Sequence, residues 1–475
     1  MKLSPNSKLF SLAIILLPLA VIIGFAFKTT LSVEMADYLL PTLATVIIFV
    51  LFSAGLKWKL GDNLFGDLGF LYLGLAIAYT IFPVLAFMFG SSSSGDQLML
   101  MLPTPFDLSI HLWRHVLFIF AVATGYLLVR GREIPHLITV KDSKGKDGST
   151  IVYLIGITIF CILVIMFSSA PVSSYYDHYT RYDHLPWLAR KFVSVCLRLK
   201  LGMYTILLTF LFLSYKKYKK TIIVIVIIIC LYEMIYSFGS RIETLIILLE
   251  VTCLYNYTVK TITMKKGLLA CLGLVLLFSV VELLRTAQFD LSSVLDKVSN
   301  EGFKSASEFG AVYFPGFHLY AERAQGTLPK TEWPMFFNEF ISIFTFGDFS
   351  RWNPMVWYAQ NFYPESIVPP FTLGPIAESA IWGGEVDLLL RGLINGAFYA
   401  LIVRWFIRHK NKWWGVTIYV YCYATCIMTI KYSVFWHLTP VFKTILPTML
   451  VVGLVRKLIP SKQKSTNVGS YAIPQ

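Results

Sequence analysis

The sequence predicts an all-α, polytopic integral membrane protein of about twelve transmembrane helices. Three observations predict it. Of 475 residues, 56% are hydrophobic and only 14% charged, where a soluble domain carries roughly a quarter charged residues. Apolar runs of about 20 residues, the length that crosses a bilayer, recur along the chain. Lysines and arginines cluster in alternate short loops between these runs, as the positive-inside rule requires. A transmembrane barrel would instead read as short alternating strands. The formal net charge of +14 resides largely in those loop clusters, so it does not mark a nucleic-acid partner.

The elements follow in order. Span one covers 9–27, behind Lys2 and Lys8, and reads as an uncleaved first helix because no small-residue cleavage site follows. Span two covers 40–56 and ends at Lys57 and Lys59. Span three covers 65–89 and leads into the serine-rich loop 91–107. Span four covers 110–129 and ends at Arg130 and Arg132. Span five covers 151–167, and the tyrosine-rich loop 168–191 follows it. Span six ends before Lys216–Lys220. Span seven, 222–238, turns through GSRIE into span eight, 244–257. Span nine covers 268–284, span ten 388–406, span eleven 414–434 and span twelve 441–454, with Arg456 and Lys457 behind it.

Alternating the sides puts the basic clusters in the cytoplasm, together with both termini. The loops 91–107 and 168–191, the GSR turn and the stretch between spans nine and ten then face outward. That stretch, 286–387, belongs to the single domain 1–475 and is its only sizeable part without a span. Long loops of this kind are often functional. It is rich in aromatics, prolines and charges, and is expected to cover an active site. No internal repeat of the transporter type is visible.

Charges at membrane depth are functional candidates. Arg241 and Glu243 sit at the tip of the span seven/eight hairpin, and Glu282 and Arg285 end span nine. Arg114 lies between His111 and His115 near the outer end of span four, while Lys431, His437 and Lys443 flank the last outer turn. Taken singly, each of these residues better suits a helix anchor or an internal ion pair, and it is their gathering on the outer side that points to function. The long stretch adds Glu308, His318, Glu322, Arg323, Arg351, Glu378, Glu385 and Asp387, with Arg391 just beyond. Arginine favours phosphate because its planar fork gives bidentate, charge-assisted bonds. A carboxylate or histidine suits removal of a hydroxyl proton. Trp333, Trp352, Trp357, Tyr358 and Phe362 suit either stacking on sugar rings or an interfacial belt.

The seven cysteines fall in or beside spans, so neither a disulfide framework nor a zinc site is expected. In the loop carrying Asp177, His178, Arg181, Asp183 and His184, the spacing matches no metal site. There is no P-loop, GxGxxG, HExxH or GxSxG motif. No cofactor is expected. An enzyme built this way draws an activated substrate from the membrane or the outer face, and lipid-linked pyrophosphate sugars are the obvious class.

Three segments carry a family resemblance: GSRIETLIILLE at a hairpin tip, SASEFGAVYF opening the outer stretch, and TLGPIAESAIWGGEVDLLLRGLINGAFYALI leading into span ten. Together with the architecture, they resemble the Wzy-type O-antigen polymerases, which polymerise oligosaccharide repeat units. The resemblance implies a glycosyltransferase of the bacterial cytoplasmic (inner) membrane with its active site facing the periplasm or exterior. It would join undecaprenyl-pyrophosphate-linked repeat units into O-antigen, capsule or exopolysaccharide, beside a flippase and a chain-length regulator. On that reading Arg241, Arg285, Arg323 and Arg351 hold the pyrophosphate. Glu308 or Glu378 accepts the hydroxyl proton, with His318 as the rival base. Gly392 and Gly396 allow close helix approach in span ten. A lipid-linked glycan ligase shares this donor and topology. A transporter or flippase of lipid-linked saccharide is the other alternative, with Glu233 and Glu250 as its proton sites.

Overall fold

The computed structural model describes residues 33–60, 63–89, 105–131, 138, 146–170, 181–236, 241–263, 266–267, 269, 307–344, 352–364, 372–434 and 436–458. Every regular element among them is helical. The first seven are α1 (Val33–Leu60), α2 (Leu68–Phe89), α3 (Pro105–Val129), α4 (Lys146–Ser168), α5 (Trp187–Leu213), α6 (Tyr215–Tyr236) and α7 (Arg241–Thr258). From the long stretch come α8 (Ser307–Gln325), α9 (Trp333–Phe336), α10 (Asn338–Phe344), α11 (Pro354–Phe362) and α12 (Pro375–Trp382). The chain ends with α13 (Glu385–His409), α14 (Trp413–Ala424), α15 (Met428–Lys431), a turn and a π-helical segment over Leu438–Ile445, and α16 (Leu446–Leu458).

Six segments are long and apolar enough to cross a membrane: 39–58, 109–129, 148–168, 187–213, 385–409 and 438–457. They match spans two, four, five, six, ten and twelve. Span three appears as α2, whose described apolar part is 68–81. Spans seven and eight appear as α6 and α7. Spans one and nine lie wholly or almost wholly outside the described residues. From Val152 along α4 and from Ile223 along α6, the described exposed side chains are apolar. Phe167 is 86% exposed and Ile228 59%, as expected where lipid is the solvent.

The bundle is organised on α3 and α13, which run parallel. Arg114 meets Glu385 at their starts, and Arg404 donates to the Val129 carbonyl at their ends. Glycine makes the contact close. A Cβ on Gly392 would stand 2.6 Å from that of Ala121, and one on Gly396 would overlap the Val122 carbonyl. In lipid such small residues let backbones approach, and dispersion replaces the missing hydrophobic drive.

Two elements differ from expectation. Span eleven is not continuous. It stops at Ala424, turns through Thr425–Ile427 and resumes only briefly as α15. The break is lined with polar partners: the Thr425 hydroxyl donates to the Tyr421 carbonyl at 2.6 Å, and Tyr399 bonds both Thr429 and His437. Broken helices at membrane depth need such internal satisfaction. The long stretch, expected as a covering loop, is largely helical where described. Leu319, Tyr320, Trp357, Tyr358, Ala377 and Ile381 give it an apolar core of its own.

Candidate functional site

The site is built on the turn between α12 and α13. Gly374 and Pro375 start α12, with proline at the first helical position where no N–H is needed. The helix ends at Gly383–Gly384. Gly384 has φ +65°, a conformation that side chains resist. Its N–H and that of Gly383 both donate to the Ser379 carbonyl. This sharp turn places Glu385 and Asp387 in the first turn of α13, where the helix dipole favours negative charge.

Three arginines from three helices converge on this turn. Arg391 of α13 donates to Asp387 at 2.6 Å and to Glu378 of α12 at 2.5 Å. Both Arg391 and Glu378 are buried, where charges need such pairing. Arg114 of α3 donates to Glu385 at 2.9 Å, and its guanidinium lies 3.7 Å from the centre of the Tyr320 ring. Tyr320 in turn bonds Ser379 at 2.9 Å. Arg323 of α8 donates to the carbonyls of Ala380 and Trp382. Its contacts are dipoles at a helix C-terminus, and its side chain is exposed. Glu385, the partner of Arg114, is 57% exposed and can be displaced by an incoming anion.

On the same helix as Arg323, His318 sits between two polar neighbours. Its Nδ1 is 2.9 Å from the Tyr358 hydroxyl and its Nε2 3.4 Å from Glu322. Phe314 stacks on the ring and Phe362 meets it edge-on. Burial pushes the imidazole below its usual range, with the Glu322 carboxylate opposing the shift. The result is an uncharged ring at neutral pH, oriented by a carboxylate, as a general base requires.

Behind this layer lies a small cavity lined by His111, His115, Thr80, Tyr313, Pro375 and Ile376, among others. At the opposite end of α3 lies a second polar cluster. Asp67 accepts from Arg130 at 3.0 Å, from the Tyr126 hydroxyl at 2.5 Å, and from the first N–H groups of α2. Tyr257 and Tyr419 both donate to the Gly66 carbonyl, and Tyr423 to that of Phe65.

Of the expected site residues, the fold brings Arg323 and Glu378 to one turn, with His318 two helical turns from its arginine-bearing end on α8. Glu378, a candidate base, is engaged by Arg391. Arg285 and Arg351 lie outside the described residues, as do the side chains of Arg241 and Glu308. Trp357 and Tyr358, candidates for sugar stacking, belong to the apolar core of the helical cap, while Trp333 is 73% exposed. Sequence reasoning missed the Arg114–Glu385 pairing across 271 positions and the Asp67–Arg130 pair. No local signal marks either, because both depend on how α3 packs. The His-x-x-x-His spacing at 111–115 was legible. Among the described residues no group of three or more His, Cys, Asp or Glu gathers as a metal site.

No known protein family, curated protein or solved structure matches the chain.

Proposed function

We propose that the protein is a membrane glycosyltransferase that joins saccharide repeat units carried on undecaprenyl pyrophosphate at the outer face of a bacterial cytoplasmic membrane. The observation that carries this reading is the convergence of Arg114 and Arg323 on the α12–α13 turn. The helix that bears Arg323 also bears His318, an uncharged ring oriented by a carboxylate, in a helical cap over an apolar bundle. Arginine forks match the two phosphates of such a donor, and their charge opposes what develops as the pyrophosphate leaves. Arg323 offers its exposed donors first. Arg114 follows once Glu385 gives way. Arg391 holds Glu378 and Asp387 in place and shapes the turn. The acceptor hydroxyl takes the place of Tyr358 at His318 Nδ1 and gives its proton there, its oxygen bonds the anomeric carbon as the bond from that carbon to the pyrophosphate oxygen breaks, and Glu322 at Nε2 stabilises the imidazolium formed. No nucleotide or metal enters these steps. A flippase would supply the donor and a chain-length regulator would limit the product.

The test is direct. The full-length protein in lipid nanodiscs is given lipid-linked repeat unit extracted from the host membrane, with no nucleotide sugar. A ladder of longer products is expected. A single transferred product that requires a second acceptor would identify a ligase instead. One observation favours transport as a second reading. Glu250 is 1% exposed, and it accepts a hydrogen bond from the Thr205 hydroxyl at 2.5 Å. Proton-dependent movement of lipid-linked saccharide across liposomes, with no ladder, would establish that reading.

A further inference from the structure

The cavity behind the arginine turn contains a pair of histidines with unused bonding capacity. His111 is fully buried, and beyond a contact with the Tyr313 backbone its ring nitrogens meet no polar partner. His115 is 8% exposed, and its Nε2 also lacks one. Its Nδ1 lies 3.1 Å from the Thr80 hydroxyl, which itself donates to the Ala76 carbonyl at 2.9 Å. The Thr80 oxygen must therefore accept from the Nδ1–H of His115. An uncharged His115 then presents a bare Nε2 lone pair. A buried nitrogen without a partner costs stability, so the bare Nε2 of His115 beside the under-bonded ring of His111 points to a group that supplies the missing bonds.

The surroundings say what kind of group. Tyr313 stacks on the His115 ring at 4.8 Å and meets that of His111 edge-on at 4.5 Å. Gly316 brings α8 down over His111, where a Cβ would stand 3.0 Å from the ring. Among the described residues the remaining lining is mostly aliphatic or aromatic, with no carboxylate and no thiolate. The i,i+4 histidine spacing also suits a transition metal. A dication in this apolar lining, with Arg114 between the two histidines in sequence, would be poorly stabilised. A neutral group that both donates and accepts hydrogen bonds fits. The space admits a hydroxyl rather than a whole sugar ring.

We infer that His111 and His115 form a buried subsite for one hydroxyl of the saccharide, donating to His115 Nε2 and bonding His111 in return. This rests on the saccharide reading above and assigns it a specificity element distinct from the phosphate-binding arginines. No covalent step occurs there.

The test compares two probes on full-length protein in nanodiscs: lipid-linked oligosaccharide extracted from the host membrane, and bare undecaprenyl pyrophosphate. In the wild type the saccharide-bearing lipid is expected to bind tighter, and His115→Leu is expected to shrink that difference roughly tenfold or more. Binding of the bare lipid stays as it was. His111→Leu behaves alike. Both variants should melt no lower than the wild type without ligand, since apolar replacements remove orphaned polar atoms. Thr80→Val, which frees the His115 tautomer, carries the same comparison if a histidine variant fails to fold. The idea is overturned if the difference between the probes persists in the variants or is absent from the wild type. It is also overturned if the ligand-free protein binds one zinc ion that His115→Leu abolishes. Tighter saccharide binding without a product ladder would instead sink the polymerase and leave the subsite standing.

Discussion

The two ends of α3 both hold buried charge, and they treat it differently. At one end Asp67 and Arg130 are at most 2% exposed, and the aspartate is bonded by a guanidinium, a tyrosine and two helix N–H groups. Three further tyrosines bond the adjoining carbonyls. At the other end Glu385 is 57% exposed, Arg323 donates to two backbone carbonyls, and the His115 Nε2 behind them is bare. Buried charge is expensive unless paired and hydrogen-bonded. A buried aspartate bonded on every side therefore reads as a structural lock, and an end with a bare histidine nitrogen as a place that awaits a ligand. Burial alone would not have told these ends apart.

Breaking the closed end should have the largest effect, and on stability. Asp67→Ala strands Arg130 and removes the cap of α2, so a loss of about 3–5 kcal/mol is expected. Thermal denaturation in detergent would show it as a steep fall in melting temperature and folded yield. An Asp67→Ala protein that melts normally would mean that the lock is not a lock.

Breaking the open end should reverse the pattern. Arg323→Ala removes an exposed side chain, and the melting temperature should scarcely move. The rate of ladder formation should fall about 10²–10³-fold if the guanidinium stabilises developing charge. Arg114→Ala should lose comparable activity, together with some stability from the lost stacking on Tyr320. Single-turnover rates on lipid-linked repeat unit measure both. Wild-type rates in both variants would remove the arginine turn from the mechanism.

The contrast was half legible in the sequence. Apolar length located α1 to α5 and α13 because spanning a bilayer sets a minimum that composition reveals directly. Gly392 and Gly396 announced a close contact because in lipid small residues do little else. The arginines and His318 of the outer stretch stood out by residue type. What could not be read was partnership. Arg114 and Glu385 are brought together only by the parallel packing of α3 and α13. Arg130 looked like an ordinary basic residue ending a span until Asp67 was found against it. Span eleven has enough apolar residues to run on, and its break depends on Tyr399 and His437 from elsewhere.

The glycine contact between the two ends supplies a smaller, mixed effect. Gly396→Ala drives a Cβ into the Val122 backbone, which cannot rotate away, so α3 and α13 must separate. Overpacking of this kind costs about 1–3 kcal/mol. Because the same two helices carry Arg114 and Glu385, melting temperature and ladder rate should fall together. A stability loss with full activity would show that the arginine turn is positioned by the cap and not by the bundle.

The smallest effect is a shift along the pH axis, and it tests whether the open end does acid–base work. Burial keeps the His318 imidazole below its usual range while Glu322 pulls it upward. Activity that needs the uncharged ring is lost as pH falls through the pKa of folded His318, so the acid limb should lie below that of an ordinary histidine. Glu322→Gln removes the upward pull, and the limb should then move to still lower pH. His318→Gln should remove it. The linked stability follows the same sign. The unfolded chain binds a proton at His318 more readily than the folded one, so stability is lost as pH drops through the unfolded value. An acid limb that stays in place in Glu322→Gln would assign the proton to a group other than His318.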